Sequence, residues 1–425
     1  MEERTRARIP LDSLTVYRKL LSDETVARFL RLLAAAEGGD AARFSALYGE
    51  FFYALTEANR EADFAAHLET LVRYDDNAFS RAAARGDGAA SYPLLRKAAQ
   101  RDLLAIRKLA YLSFEHLVKP IRNLCGGAEG LSCLPEYAIS SQTVFSAGTE
   151  SDASVAELER FYQKNGYGIY AKYGAFRWLT GRGLIGVAQP DPVCLSNLKE
   201  YDYERGLVAA NTLDFVERRG GGNLLLYGDR GTGKSSTVKA LANEYRSRGL
   251  RIVELSKEAI ADFHEIMDVL RNVPMRFLLF LDDLTFSTDD SEFSALKSIL
   301  EGGVAARPEN CLVYATSNRR HLVKESFADR NPDDVHAGDT MQEKLALYDR
   351  FDQTVNFFAP DQAKYLSIIR TLAEERALDL PIETLERGAV QWAIRAGGRS
   401  PRTAKQFVDW ATVQLQKGGS LLEQS

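Results

Sequence analysis

"YGDRGTGKSS", residues 227–236, decides how the rest of the chain is read. Gly228, Asp229, Arg230, Gly231, Thr232, Gly233, Lys234 and Ser235 fit the pattern G-x-x-x-x-G-K-[ST] without a mismatch. An apolar run from Leu224 to Tyr227 leads in, and helix-forming sequence leads out through Ser236. Glycines let main-chain N–H groups converge on phosphate oxygens, and a helix that starts there turns its positive end to the same anion. Lys234 then offers a charge to the β- and γ-phosphates, and Ser235 a hydroxyl to Mg2+. The plainer reading, a glycine turn that only caps a helix, is outweighed because the motif and both flanks agree.

A phosphate loop needs a second strand that ends in acid. "RFLLFLDDL" supplies one, with Asp282 and Asp283 after an apolar run. Asp282 is expected to hold magnesium near the Ser235 hydroxyl, and Asp283 to polarise the attacking water as a general base. Acids after strands also serve as helix caps, and beside Lys234 that reading loses ground. "CLVYATSNRRHL" delivers Thr316, Ser317 and Asn318 to a third strand end. The Asn318 amide is a candidate for orienting water and sensing the γ-phosphate, with a simple turn as the alternative. Arg350 in "EKLALYDRF" and Arg402 in "GGRSPRTAKQF" are candidates for stabilising phosphate charge. Taken singly, either arginine also suits an ordinary surface position.

From about residue 195, short apolar runs alternate with helical stretches. "NLLLYG", "LRIVEL", "RFLLFLDD", "CLVYATSN" and "TVNFF" have strand length and character. That alternation predicts an α/β fold with a parallel sheet covered on both faces. Residues 1–145 read as a helical N-terminal domain. Leu103, Ile106, Ala110, Phe114 and Leu117 step along one helical face, ringed by Arg96, Lys97, Arg101, Arg107 and Lys108. A solvated face is the favoured reading of those charges. Residues 146–194, where glycines and aromatics interleave, read as a linker or docking segment. Residues 195–359 form the nucleotide-binding α/β domain, and 360–425 a helical lid.

The chain has 425 residues, room for two or three domains at roughly 150 each. Its 54 basic and 59 acidic residues leave a net charge of −5, which advertises neither a nucleic-acid nor a membrane partner. No apolar run approaches the length of a membrane span. The charged start "MEERTRARIP" is not a secretory signal, and Cys125, Cys133, Cys194 and Cys311 lack zinc spacing. Reduced thiols in a cytoplasmic protein are the expectation.

In order and spacing these pieces resemble AAA+ ATPases. Residues 228–235 stand as Walker A, 277–283 as Walker B and Asn318 as sensor 1. Arg350 stands as an arginine-finger candidate and Arg402 as a sensor-2 candidate. "YGDRGTGKSSTVKAL", "LKSILEGG", "YATSNRRHL", "DRF" and "SPRTAKQF" more closely resemble the predicted ATPases known as domain of unknown function 815. The resemblance covers about residues 160–415. It implies a five-stranded sheet with a helical lid, ATP and Mg2+ between them, and a homo-oligomeric ring. Arg350 would then act in trans on a neighbour's ATP, and Arg402 on ATP in its own subunit. The segment from Pro192 to Tyr203 would lie near the adenine.

The chain departs from that pattern in two places. Asp283 stands where glutamate is usual, and one methylene less can misplace a water. The region "SKEAIADFHEI" lacks the aromatic-apolar-glycine triplet of peptide-threading rings. Neither the Asn-Lys-x-Asp motif of GTPases nor the Leu-Ser-Gly-Gly signature of transporter ATPases occurs. The first functional expectation is an ATPase that remodels or loads a partner assembly. The alternatives are a nucleotide-gated binding module with little hydrolysis, and a DNA-associated loader.

Overall fold

The computed structural model describes residues 11–86, 88–125, 131, 133–145, 151–285, 295–297, 300, 308–318 and 349–417. It divides into two compact units, residues 1–172 and 173–425.

The first unit is helical: α1 (Glu24–Gly38), α2 (Ala41–Ala58), α3 (Phe64–Arg73), α4 (Ala78–Arg85), α5 (Pro93–Ala110), α6 (Phe114–Cys125), α7 (Ser151–Asn165) and the short α8 (Gly168–Lys172). Its helix starts are written into the sequence. Asp23, Asp40 and Asp63 each accept a hydrogen bond from a main-chain N–H three residues on, opening α1, α2 and α3. The core is aromatic. Phe29 stacks on Phe64 with centroids 4.4 Å apart, and Phe51 and Tyr137 meet both edge-on. Asp102 is fully buried. Its Oδ2 accepts the N–H groups of Thr15, Val16 and Tyr17 at 2.8, 2.7 and 3.2 Å.

The face expected from Leu103 to Leu117 is buried throughout, but it belongs to two helices, because the chain turns between Ala110 and Phe114. Two of the basic residues have partners within the unit, although Arg101 stays exposed. Arg96 pairs with Asp152 and Glu159, and Arg101 donates to the Ser13 carbonyl.

The second unit carries β1 (Ala175–Leu179), β2 (Gly183–Gly186), α9 (Asp202–Val216), β3 (Leu224–Gly228), α10 (Lys234–Glu244), β4 (Leu250–Leu255), α11 (Phe263–Arg271), β5 (Arg276–Leu281), β6 (Cys311–Ser317) and β7 (Gln353–Phe357). The lid helices follow: α12 (Gln362–Glu375), α13 (Ile382–Arg395) and α14 (Pro401–Gln416). The strand order is β2-β1-β4-β5-β6-β3-β7. All five expected strands are present and parallel.

The sheet has seven strands, not five. The extra two come from the aromatic and glycine-rich segment read as linker: β1 pairs parallel with β4, and β2 antiparallel with β1. The rest of 146–194 is divided as well, since α7 packs on α4 and α5 in the first unit and contributes Val155, Leu158 and Tyr162 to its core. These pieces were hidden because each strand is short, and the alternation that marks a strand is broken by glycines at both ends.

Along the central strands, Leu224, Leu226, Leu278, Phe280 and Leu312 form one core with Val208 and Phe215 of α9 and Val238 and Leu241 of α10. Leu225, Leu279 and Val313 alternate with them and are equally buried, so both faces of the sheet are covered. The lid has its own cluster, built from Tyr365, Ile369, Leu385, Ala389, Phe407 and Val408. Among the described residues no helix is long and apolar enough to cross a membrane.

Candidate functional site

Chain direction sets the site. From β3 the chain crosses to β4 on one side, and β7 later adds to the other, so the order reverses at β3. A crevice is expected beyond the carboxyl ends of strands at such a point. Register then chooses its side chains. Leu281 of β5 stands opposite Ala315 of β6, and Tyr227 of β3 opposite Ser317. The residues that follow are Asp282 just past β5, Thr316 to Asn318 at and just past the end of β6, and Gly228 at the end of β3, brought to one end of the sheet.

The glycine loop fills that end. At Gly228 the backbone φ is +136°, and a Cβ there would lie 2.1 Å from the Phe357 carbonyl oxygen on β7. Only glycine lets the loop leave the sheet so close to its neighbour. At Gly233 φ is +97°, and a Cβ would project into open space. That space adjoins the first turn of α10, where main-chain N–H groups have no helical partners. Asp229 accepts the Ala359 N–H at 2.6 Å, and the Thr232 hydroxyl closes on the Asp229 carbonyl at 2.8 Å.

Lys234 is only 5% exposed. Its Nζ donates to the carbonyls of Gly228 (2.9 Å) and Asp229 (2.7 Å) and to Asn318 Oδ1 (3.1 Å). Burial lowers its pKa from 10.5 to about 8, while Asp229, Asp283 and Asp282 pull the other way and Arg402 adds to the fall. The ammonium is therefore held by neutral oxygens that an incoming anion can replace.

The acids are held by one hydroxyl. Thr316 Oγ1 donates to Asp282 Oδ1 at 2.6 Å and accepts the Asp283 N–H at 2.8 Å. The Ser235 hydroxyl donates to the same Asp282 oxygen at 2.6 Å. Asp283 has a left-handed backbone, φ +53°, and its Oδ1 accepts the Asn318 side-chain N–H. A chain of contacts thus runs from Lys234 through Asn318 to Asp283, and from Ser235 through Asp282 to Thr316.

A cleft of about 670 Å3 opens over these groups, lined by residues 230–237, Asp282, Asp283, Thr316, Asn318 and the lid residue Arg402. Ser400 caps α14, with Pro401 in its first turn, and the Arg402 N–H donates to the Gly231 carbonyl at 3.2 Å. The lid is thereby joined to the loop. Leu198, Tyr201 and Phe357, with Ile368 and Leu372 of α12, form an apolar part of the cleft lining, in which the Tyr201 ring stacks on Phe357.

The structure brings together the candidates Arg230 to Ser236, Asp282, Asp283, Asn318 and Arg402. Gly228 and Asp229 shape the loop from beneath, outside the cleft lining. Arg350 is not brought in. It is exposed just before β7, which runs parallel to β3, so it lies toward the opposite end of the sheet from Gly228. Sequence reading missed the part played by Thr316, although it placed the residue at a strand end. It also missed Arg205 of α9, which lines the cleft. Its signal, an arginine in the first turn of a helix, is common to many surface helices.

Oxygen donors from a hydroxyl and a carboxylate, as at Ser235 and Asp282, suit magnesium better than a softer metal. The open face at Gly233 and the buried ammonium of Lys234 suit a phosphate chain. Sheet order, glycine loop, acid-ended strand and helical lid define the second unit as a P-loop fold of the AAA+ type.

The sequence profile of DUF815, a family of proteins of unknown function, matches residues 171–415. The chain belongs to that family. No curated protein matches it. Among solved structures it is similar to Thermotoga maritima RuvB, described as a Holliday junction branch migration motor, with 15% identity and a TM-score of 0.36. That match covers 53% of this chain and 66% of RuvB, slightly under two thirds. Two point variants of the same protein match at 15% and 16% identity with TM-scores of 0.38 and 0.39, covering the same shares.

Proposed function

We propose that the chain binds ATP with Mg2+ and hydrolyses it to ADP and phosphate, coupling turnover to rearrangement or loading of a partner assembly. One observation carries this reading: Lys234, Ser235, Asp282, Asp283 and Asn318 converge in one cleft at the strand ends. Main-chain amides around Gly231 and Gly233 enclose the phosphates, and Lys234 turns from its carbonyls to the β- and γ-oxygens. Ser235 and Asp282 hold Mg2+, which neutralises phosphate charge when bound. Asp283 takes a proton from the attacking water, and Asn318 orients that water. Arg402 reaches the phosphates from the lid of its own subunit. Arg350 acts from a second copy in a ring, since its own cleft lies toward the other end of the sheet.

A second reading draws on the Asn318 contact. The amide engages Asp283 Oδ1, the oxygen needed as base, and aspartate is shorter than glutamate. A nucleotide-gated binding module with slow turnover, triggered by its partner, fits that arrangement. The DNA-associated alternative has no comparable contact in its favour, and Arg96 is already engaged by Asp152 and Glu159. A cytoplasmic location belongs to the same proposal, and it is supported by thiols rather than disulfides at Cys133, Cys194 and Cys311.

Phosphate release by the full chain tests the first reading, beside Lys234→Ala and Asp283→Asn. ATPase function predicts turnover in the wild type and its loss in both variants. Equal release from all three rejects it. Tight ATP binding with negligible release favours the second reading.

A further inference from the structure

The lining of the cleft has two parts that differ in chemistry. One carries the ammonium, acids and main-chain amides described above. The other is apolar, formed by Leu198, Tyr201, Phe357, Ile368 and Leu372. Arg205 also lines the cleft, one helical turn after Tyr201, whose carbonyl accepts the Arg205 N–H at 2.8 Å. Its side chain is only 12% exposed, and Nη2 donates to Asp202 Oδ1 at 2.6 Å. Nη1 is buried and has no hydrogen-bond partner. Asp202 is 88% exposed, so it anchors the outer side of the guanidinium and leaves the inner side unused.

A guanidinium only donates, and it cannot shed its charge in this pH range. Leaving such a donor buried and unmatched is costly, so an orphan beside a cavity marks the place of an acceptor. The lining next to it is held firmly. The Tyr201 ring stacks on Phe357 at 5.6 Å, its hydroxyl donates to the Phe358 carbonyl at 2.5 Å, and Lys364 sits 4.3 Å from the ring centroid. Glu200 accepts from Ser367, and Lys199 pairs with Glu375, tying the segment to α12.

The acceptor has two possible chemistries, a phosphate oxygen or an atom of the base. The phosphate part of the lining already has its cations: Lys234 lies within electrostatic reach of Asp229, Asp283, Asp282 and Arg402. Arg205 is one turn along α9 from Tyr201 and lines the cleft together with Leu198, Ile368 and Leu372, so a flat ring taken up among these apolar side chains would come near it. An adenine there offers ring nitrogens as acceptors along its edge, while its amino group, a donor, would be rejected by a guanidinium.

We propose that Arg205 is a specificity-determining residue that donates through Nη1 to a ring nitrogen of the bound purine. The inference rests on the nucleotide reading of the cleft and deepens it: base recognition is assigned to a side chain of α9, apart from the glycine loop.

The test is a binding titration of the full chain with ATP, inorganic tripolyphosphate, and ATP analogues in which one ring nitrogen is replaced by carbon (the 1-deaza, 3-deaza and 7-deaza forms). Arg205→Ala should weaken ATP about tenfold and tripolyphosphate less than twofold, since the latter has no base. Arg205→Gln, which keeps more of the side-chain packing, should weaken ATP by an intermediate factor. In the wild type one deaza analogue should bind about tenfold more weakly than ATP, and Arg205→Ala should bind that analogue and ATP alike. Unchanged ATP affinity in Arg205→Ala, equal losses for ATP and tripolyphosphate, or three deaza analogues that all bind the wild type like ATP would each overturn the inference alone. Failure of the wild type to take up either ATP or tripolyphosphate would overturn the nucleotide reading, and this inference with it.

Discussion

Both units tie charged and polar side chains into hydrogen-bond networks, some buried like Asp102 and Lys234 and some exposed like Asp282 and Asp283, but they use them differently. In the first unit, Asp102 is spent on the main-chain amides of residues 15–17, and Asp63 on the start of α3. Besides the hydroxyls of Thr15 and Ser140, their partners are backbone groups that no ligand can displace without unfolding the chain. In the second unit, Lys234, Asp282, Asp283 and Asn318 are satisfied mostly by one another, by hydroxyls, or by carbonyls at the mouth of a cleft. Such partners can be exchanged. A polar group is structural when its partners are fixed, and a candidate for chemistry when they are replaceable and face a cavity.

Mutations can break this contrast. Asp102→Ala leaves three amides without their acceptor and should cost about 3–5 kcal/mol of first-unit stability. Urea unfolding should show the loss, hydrogen exchange should localise it to Thr15, Val16 and Tyr17, and ATP affinity should change less than twofold. Lys234→Ala should do the reverse. It should reduce ATP affinity at least a hundredfold, about 2.7 kcal/mol, while the unfolding midpoint holds or rises, because a buried ammonium is removed. If Lys234→Ala unfolds the second unit, the lysine belongs with Asp102 and the contrast fails.

Thr316 sharpens the comparison, because it is buried like a structural residue yet touches both acids. Thr316→Val should lower kcat about tenfold, near 1.4 kcal/mol, with ATP affinity within twofold, and Thr316→Ser should restore most of the rate. An unchanged rate in Thr316→Val would make the hydroxyl dispensable.

The smallest effect concerns Asp23. Burial pushes its carboxyl up, but hydrogen bonds from His67 and the Val26 N–H outweigh it and hold it below the ordinary 3.8. A carboxyl so held stabilises the fold above that value and ceases to as pH falls through its folded pKa. Asp23→Ala should cost about 1 kcal/mol near neutral pH, and the difference from wild type should shrink below about pH 3.8. A difference independent of pH would show that the cap does not depend on charge.

How much of this was legible in the sequence follows from the same contrast. The glycine loop and Asp282–Asp283 were readable because phosphate and metal chemistry demand fixed spacing within one segment. The strand β3 was readable because it is buried on both faces. Thr316 acts on Asp282 and Asp283, more than 30 residues away, and Arg205 lines the cleft with Ile368 and Leu372, more than 160 residues away; only sheet register or the lid brings those residues near. The hairpin of β1 and β2 was hidden for a local reason: five and four residues between glycines carry too little periodicity. The apolar face from Leu103 to Leu117 reads as continuous although two helices share it, because the turn at residues 111–113 keeps the apolar spacing while ending the hydrogen-bond ladder. Most of "LKSILEGG" and the part of "YATSNRRHL" after Asn318 lie outside the described residues.

The central claim is that main-chain amides and Lys234 together enclose a triphosphate. Calorimetric titration of the full chain with ATP and Mg2+ tests it most directly. The account predicts saturable binding at one site per chain, lost in Lys234→Ala at an unchanged unfolding midpoint. Absence of saturable binding in the wild type, or equal affinity in the variant, would contradict it.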